Sequence, residues 1–211
     1  MNRISRIGVA IASLILATLF AAPMWRVDLK APQYPEGLGL RIWINQIRGA
    51  TPNGLNSING LNHYIGMKAI EPTQIPELRY MPYIVLGLIL CGLLVAAFGR
   101  RSLLYAYLGV FLAVACAGLY DFWRWEYDYG HDLDPTAAIR IPGMSYQPPL
   151  VGGKQLLNFH ATSWPDLGGW AAIAAVTVIV VIAVMEWRSG RTAARAPARV
   201  TAAGLPGGMP A

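Results

Sequence analysis

The sequence predicts an α-helical integral membrane protein: four transmembrane helices carrying a small mixed extracytoplasmic cap. Three observations carry that reading. Charged residues make up 13% of the 211-residue chain and hydrophobic residues 55%, whereas soluble domains carry about a quarter charged residues. Four windows, Ile7–Met24, Met81–Phe98, Ser102–Tyr120 and Leu167–Met185, contain no Asp, Glu, Lys or Arg. Each approaches the roughly 20 residues that cross about 30 Å of hydrocarbon, and a helix satisfies its own backbone groups in lipid. Finally, arginines gather at alternate ends of the windows. Arg3 and Arg6 precede the first, Arg100 and Arg101 join the second to the third, and Arg188, Arg191, Arg195 and Arg199 follow the fourth.

By the positive-inside rule these arginine-rich places are cytoplasmic. Residues 1–24 then form the first helix, residues 25–80 an outer segment and residues 81–120 a helical hairpin. Residues 121–166 form a second outer loop, residues 167–187 the fourth helix and residues 188–211 a disordered cytoplasmic tail. Both termini are expected inside. The net charge of +6 is largely this bias, since eight of the 17 basic residues sit at those edges; it does not point to nucleic acid. The first window has a basic start and small residues at Ala21-Ala22, as a signal peptide does. Pro23 and the length of the apolar run favour a retained helix.

After the first helix, Trp25, Val27 and Leu29 alternate with polar residues, and Leu38, Leu40, Ile42 and Ile44 alternate again. Period two predicts two half-buried strands, joined as a hairpin through Ala31–Gly37. A lone hairpin is marginal in water, so it is expected to pack on the second outer loop. Asn53-Gly-Leu-Asn56 recurs as Asn59-Gly-Leu-Asn62, and its Asn-Gly pairs read as turns. A short helix over Leu61–Ile70, capped by Asn59 or Asn62, is expected next. Gly87, Gly92, Gly109 and Gly118 would let the second and third helices approach closely.

Tyr120, Trp123 and Tyr127 recur at spacings of three and four, so the third helix is expected to run on past the membrane to a stop near Gly130. The remainder of the second loop reads as irregular. Trp164 and Trp170 bracket the start of the fourth window as an interfacial belt would.

The run Asp121–Pro135 holds five carboxylates, two tryptophans, two tyrosines, one arginine and one histidine. Trp123, Trp125, Tyr127 and Tyr129 read as a partner-docking surface, aromatic residues being enriched at interfaces, or as an interfacial belt plus packing under the loop. His131 lies among Asp128, Asp132 and Asp134, which read as a metal-attracting cluster or a solvated acidic turn. His63 and Met67, four apart, would share a helical face, extended by Asn59 and Glu71. Imidazole and thioether together suit copper, Cu(I) above all; the alternative is that Met67 fills a gap under the loop and His63 hydrogen-bonds locally. His160 and Met144 are the other outer groups of this type. Cys91 and Cys116 lie at different depths in their helices and are not expected to pair. No nucleophile–base constellation or phosphate-binding loop is present, so an enzyme is not expected.

Several blocks resemble a known family: Ala31–Leu38, Asn59–Lys68, Asp121–His131 with Leu133-Asp-Pro135, Pro142–Pro149 and Gln155–Phe159. Together they resemble small bacterial inner-membrane proteins encoded among the accessory genes for nitrous oxide reductase, a periplasmic copper enzyme. The resemblance spans roughly residues 25–170. It implies an inner-membrane protein with both outer segments in the periplasm. The implied role is maturation of that reductase, or copper or electron supply to it, with periplasmic or membrane accessory proteins as partners. The alternative is a non-metal scaffold that docks periplasmic partners through the aromatic cap. On the copper reading, His63, Met67 and His131 are the expected ligands, with Asp128, Asp132 and Asp134 attracting the cation or orienting His131.

Overall fold

The computed structural model describes residues 1–156 and 159–195. It is mostly helical, with one small β-sheet. α1 (Arg3–Ile15) continues as a 3-10 turn over Leu16–Phe20. α2 (Gly54–Ile65) is short, and α3 (Glu77–Phe98), α4 (Arg101–His131) and α5 (Leu167–Arg195) are long. Among the described residues four helical stretches are long and apolar enough to cross a membrane: Arg3–Phe20, α3, α4 and Leu167–Arg191 of α5.

α1 packs against α3 and α5, and α4 joins the bundle beside the same two. Val9, Ala12, Leu16, Leu88, Leu104 and Ile179 fill its centre. Ile7, Leu14, Leu90, Leu94, Val110 and Val181 point outward and are exposed. So continuous an apolar exterior would be a liability in water and is compatible with helices that cross a membrane. Cys91 and Cys116 are free and on this exterior.

At the arginine-bearing end the helices are tied by polar contacts. Glu186 of α5 is 2% exposed, accepting from Arg101 Nε at 2.7 Å and from the Asn2 backbone N–H at 3.0 Å. Arg6 donates to the Ala96 and Ala97 carbonyls that end α3, where a helix leaves its last carbonyls unsatisfied.

At the other end both outer segments share one antiparallel sheet in the order β3-β2-β1-β5-β4. Its strands are β1 (Trp25–Ala31), β2 (Tyr34–Ile42), β3 (Ile47–Gly49), β4 (Gly152–Leu156) and β5 (Phe159–Pro165). β1 is central. It pairs with β2 from Trp25↔Ile42 to Ala31↔Tyr34 and with β5 from Trp25↔Pro165 to Lys30↔His160. Alternation puts Trp25, Val27 and Leu29 on the inner face, against α2 and the end of α4. The outer face carries the Arg41–Asp28 ion pair at 2.7 Å.

A buried hydrogen bond joins the two outer segments on the inner face. Trp25 Nε1 donates to Ser163 Oγ at 2.8 Å, and Ser163, fully buried, donates to the Leu150 carbonyl. Ser163→Ala should leave the indole N–H without its acceptor and cost about 1–3 kcal/mol. Denaturant unfolding, with a Ser163→Thr control that keeps the hydroxyl, measures it.

The structure corrects several sequence expectations. The hairpin loop is short, because the strands extend through Ala31 and Tyr34; Ile44 leaves the strand and is buried in the bundle. The second outer loop is not wholly irregular, since it supplies β4 and β5. α2 begins after Asn53 and absorbs the Asn-Gly repeat instead of starting at Leu61. Gly87, Gly109 and Gly118 meet no neighbour a side chain would touch; only Gly92 sits in a tight contact, with Ser13 of α1 and Tyr107 of α4. α5 continues to Arg195, into the predicted tail, of which residues 196–211 lie outside the described residues.

Candidate functional site

α4 is 31 residues long, about 46 Å at 1.5 Å per residue, which exceeds the roughly 30 Å hydrocarbon thickness. The apolar window ends at Tyr120, and Asp121–His131 continues beside the sheet. Helical periodicity gives this extension two unlike faces.

On one face, Tyr120, Trp123, Tyr127 and His131 follow at spacings of three and four. Their rings form a ladder, with centroids 6.0 Å apart from Tyr120 to Trp123, 5.6 Å to Tyr127 and 4.0 Å to His131. All four residues are exposed. The opposite face holds Phe122, Trp125, Glu126, Tyr129 and Gly130. Phe122 meets Trp25 edge-on at 5.6 Å, and Trp125 stacks on Tyr129 at 4.1 Å. The four aromatics predicted as one docking surface are therefore divided. Trp123 and Tyr127 face outward, while Trp125 and Tyr129 pack toward the sheet.

The predicted copper ligands are not brought together as a shared face. α2 ends at Ile65, and Gly66 turns the chain in the left-handed region at φ 82°. Glycine adopts that conformation without a Cβ penalty and ends helices readily. His63 therefore stays exposed on the helix, while Met67 turns into the wall of a cavity. Asn59, expected to extend a ligand face, clamps Ile70 instead: its amide donates to the Ile70 carbonyl and its oxygen accepts the Ile70 N–H at 2.8 Å.

His131 lies flat on Tyr127, with Nδ1 3.0 Å from the Tyr127 carbonyl oxygen. Asp132 pairs with Lys68, Asp128 approaches Arg124 at 4.0 Å, and Asp134 accepts from the Thr136 hydroxyl and N–H. Those two Thr136 bonds hold the Asp134 carboxyl below its ordinary range. The acids thus behave as helix-end and turn partners. His160 is exposed and pairs opposite Lys30, on the sheet face turned away from α2 and α4. Glu71 contacts Gln74, and Met144 lies in a turn closed by its N–H to the Ile141 carbonyl. Among the described residues no three His, Cys, Asp or Glu side chains are placed to hold one ion. Of the predicted ligand group, His63 lies near enough to Asp134 to add to the lowering of its carboxyl.

The inward face holds a group that the sequence reading passed over. Glu126 is 2% exposed, and among the described residues neither of its carboxyl oxygens has a hydrogen-bond partner. Burial in an apolar setting penalises the carboxylate, and its pKa is pushed up to about 8. The Tyr146 hydroxyl is also buried and unpartnered. Tyr146 is fixed beside α4 by its N–H to the Gly130 carbonyl at 3.0 Å. Residue 130 must be glycine for this crossing, because a methyl there would collide with the Gln147 backbone. Five carboxylates in one run look alike by composition. The signal separating Glu126 is its phase, between Trp125 and Tyr129 and opposite Trp123. Comparison with protein-family models, with curated proteins and with solved structures gave no match to this chain.

Proposed function

We propose that this chain is a membrane-anchored accessory protein that holds a partner protein at its outer face through the aromatic ladder of α4. The observation that carries the reading is the ladder's height. The headgroup layer on each side of a bilayer is roughly 5–8 Å deep. Counted from Tyr120 along the axis, Tyr127 stands about 10 Å and His131 about 16 Å higher. An interfacial belt would stop lower, so the upper rungs present aromatic surface to water. Exposed Trp and Tyr are the side chains that most often dominate protein interfaces.

The arginine distribution supports both ends lying in the cytoplasm and the cap in the periplasm. The family resemblance supports nitrous oxide reductase, or its maturation machinery, as the partner. Docking is favoured over copper holding because Met67 turns into the cavity wall while His63 stays on the helix surface.

The test is co-purification from native membranes. The paired change Trp123→Ala with Tyr127→Ala should weaken partner binding by about 30-fold or more, the size of a lost hot spot. Cap unfolding should stay nearly unchanged, because neither ring fills the core. A Cu(I) titration of the purified chain tests the other reading. One equivalent bound tightly, and lost in His63→Ala with Met67→Ala, would move the function to copper handling.

A further inference from the structure

The face of α4 opposite the ladder closes a partly open cavity of about 100 Å³. Val27 and Leu40 of the sheet, Ile58 and Leu61 of α2, and Phe122 and Trp125 of α4 line it. Other lining residues are also mostly aliphatic or aromatic. The polar exceptions are Asn62, Glu126, Tyr129 and Tyr146. Asn62 is occupied, donating its amide to the Lys68 carbonyl at 3.2 Å, and the Tyr129 hydroxyl donates to the Ala69 carbonyl at 3.3 Å. The Glu126 carboxyl and the Tyr146 hydroxyl are not occupied.

Buried polar groups in native proteins are paired in about nine cases in ten. Here a carboxyl and a phenol from the wall of one cavity both lack a partner among the described residues. A leucine at position 126 would fill the same helical face with no such penalty. Glu126 and Tyr146 both stand in the wall of this cavity, with their polar oxygens beneath its apolar surface, and a few polar groups in an otherwise apolar pocket are the arrangement of a small-molecule site.

We propose that this cavity binds a neutral lipophile, one ring system or a short acyl chain in size, one carbonyl or hydroxyl oxygen of which pairs with Glu126 and Tyr146. The lining selects the class. Among the described residues no Lys, Arg, His or Asp lines the cavity from β1, β2, α2, α4 or the segment around Tyr146, and Tyr129 and Tyr146 are the titratable groups there besides Glu126. A charged ligand would be desolvated with nothing but Glu126 to compensate it. Burial keeps the carboxyl protonated near neutral pH, so it offers an O–H donor and a carbonyl acceptor to one oxygen-bearing head. The cavity lies just beyond four apolar helices, where lipophiles concentrate. Two sources share this chemistry: a quinone-type ring and an acyl lipid. The cavity and the ladder occupy opposite faces of α4, so this proposal and the docking reading fail separately.

The test titrates the full chain in lipid nanodiscs with menadione, 1-decanol and, as a cationic control, octylamine. One neutral probe should saturate at one per chain. Menadione alone identifies a ring ligand, decanol alone an acyl ligand, and either supports the site. Glu126→Leu should weaken binding about tenfold at pH 6, while Glu126→Gln stays within about threefold of the wild type. Raising the pH from 6 to 9 should weaken the wild type about tenfold and leave Glu126→Gln unchanged. Ile58→Phe, which fills the cavity and leaves the carboxyl intact, should abolish binding. The infrared band of a protonated carboxylic acid should shift when the probe is added and be missing in Glu126→Gln. The proposal is overturned if neither neutral probe saturates, if Glu126→Leu binds like the wild type, or if octylamine binds tightest and tightens as pH rises.

Discussion

Replacing Arg101 with alanine is expected to destabilise the helix bundle by about 3 kcal/mol, and adding Glu186→Gln to restore about half of that loss. The carboxylate it partners is 2% exposed and the pair is 2.7 Å apart. Removing one member of a buried pair typically costs about 3–5 kcal/mol, because the other charge remains buried. The lower figure is used because the Asn2 N–H still reaches Glu186. Glu186→Gln removes the stranded charge, and the same second change should not rescue an unrelated core variant. The reverse deletion, Glu186→Ala, should cost less, since Arg101 is 42% exposed and can turn to solvent. Unfolding in mixed micelles of the two single variants and the double variant gives the three differences, and equal losses for both single variants would contradict the account.

The second large effect is on the cap and depends on pH. Glu126 titrates near 8 when folded, against 4.5 as its ordinary value. Below about pH 4.5 both folded and unfolded chains hold the proton. Between 4.5 and 8 only the folded chain holds it, so the stability it contributes falls by about 1.4 kcal/mol per pH unit. Above 8 the loss levels off. Glu126→Gln should flatten this slope and be the more stable protein at pH 8. Asp134 works in the opposite sense, its contribution disappearing as acid titrates it, and that part should be common to both proteins. Denaturation followed by the aromatic circular dichroism of the cap, at pH 5 to 8, reads the slope. A wild type that gains stability across that range relative to Glu126→Gln would contradict the burial account.

The long helices were legible because crossing about 30 Å of hydrocarbon demands runs without charge, and such runs are rare by accident. The outward extension of α4 was legible for a related reason: Tyr120, Trp123 and Tyr127 keep a helical spacing where the apolar window stops. The sheet was half legible. β1 alternates cleanly, whereas β4 reads Gly-Gly-Lys-Gln-Leu and is a strand only because β5 pairs with it. Strand identity there is tertiary, and no local pattern encodes it.

α2 was misplaced because Asn-Gly is a turn signal in isolation. In the folded chain Asn59 and Asn62 use their side chains on the backbone of Lys68 and Ile70, which secures the segment after the helix. The same misplacement put His63 and Met67 on one face. A spacing of four means a shared face only if the helix continues, and Gly66 ends it. Glu186 was invisible as a buried group, since its partners Asn2 and Arg101 are far from it in sequence.

The central place of β1 has a consequence for biogenesis. Its inner neighbour β5 is made last, and the Trp25–Ser163 bond spans 138 residues. At roughly 5–20 residues per second, synthesis alone leaves that edge of β1 unpaired for about 7–28 s. Until β5 arrives, the nascent first segment offers an open row of amides and carbonyls beside Trp25 and Val27, the kind of edge on which chains aggregate. β5 is complete only when synthesis of the last helix begins, so the cap closes as one of the final events of assembly. A chain truncated before Phe159 would keep its first three long apolar helical stretches and still lack a closed cap.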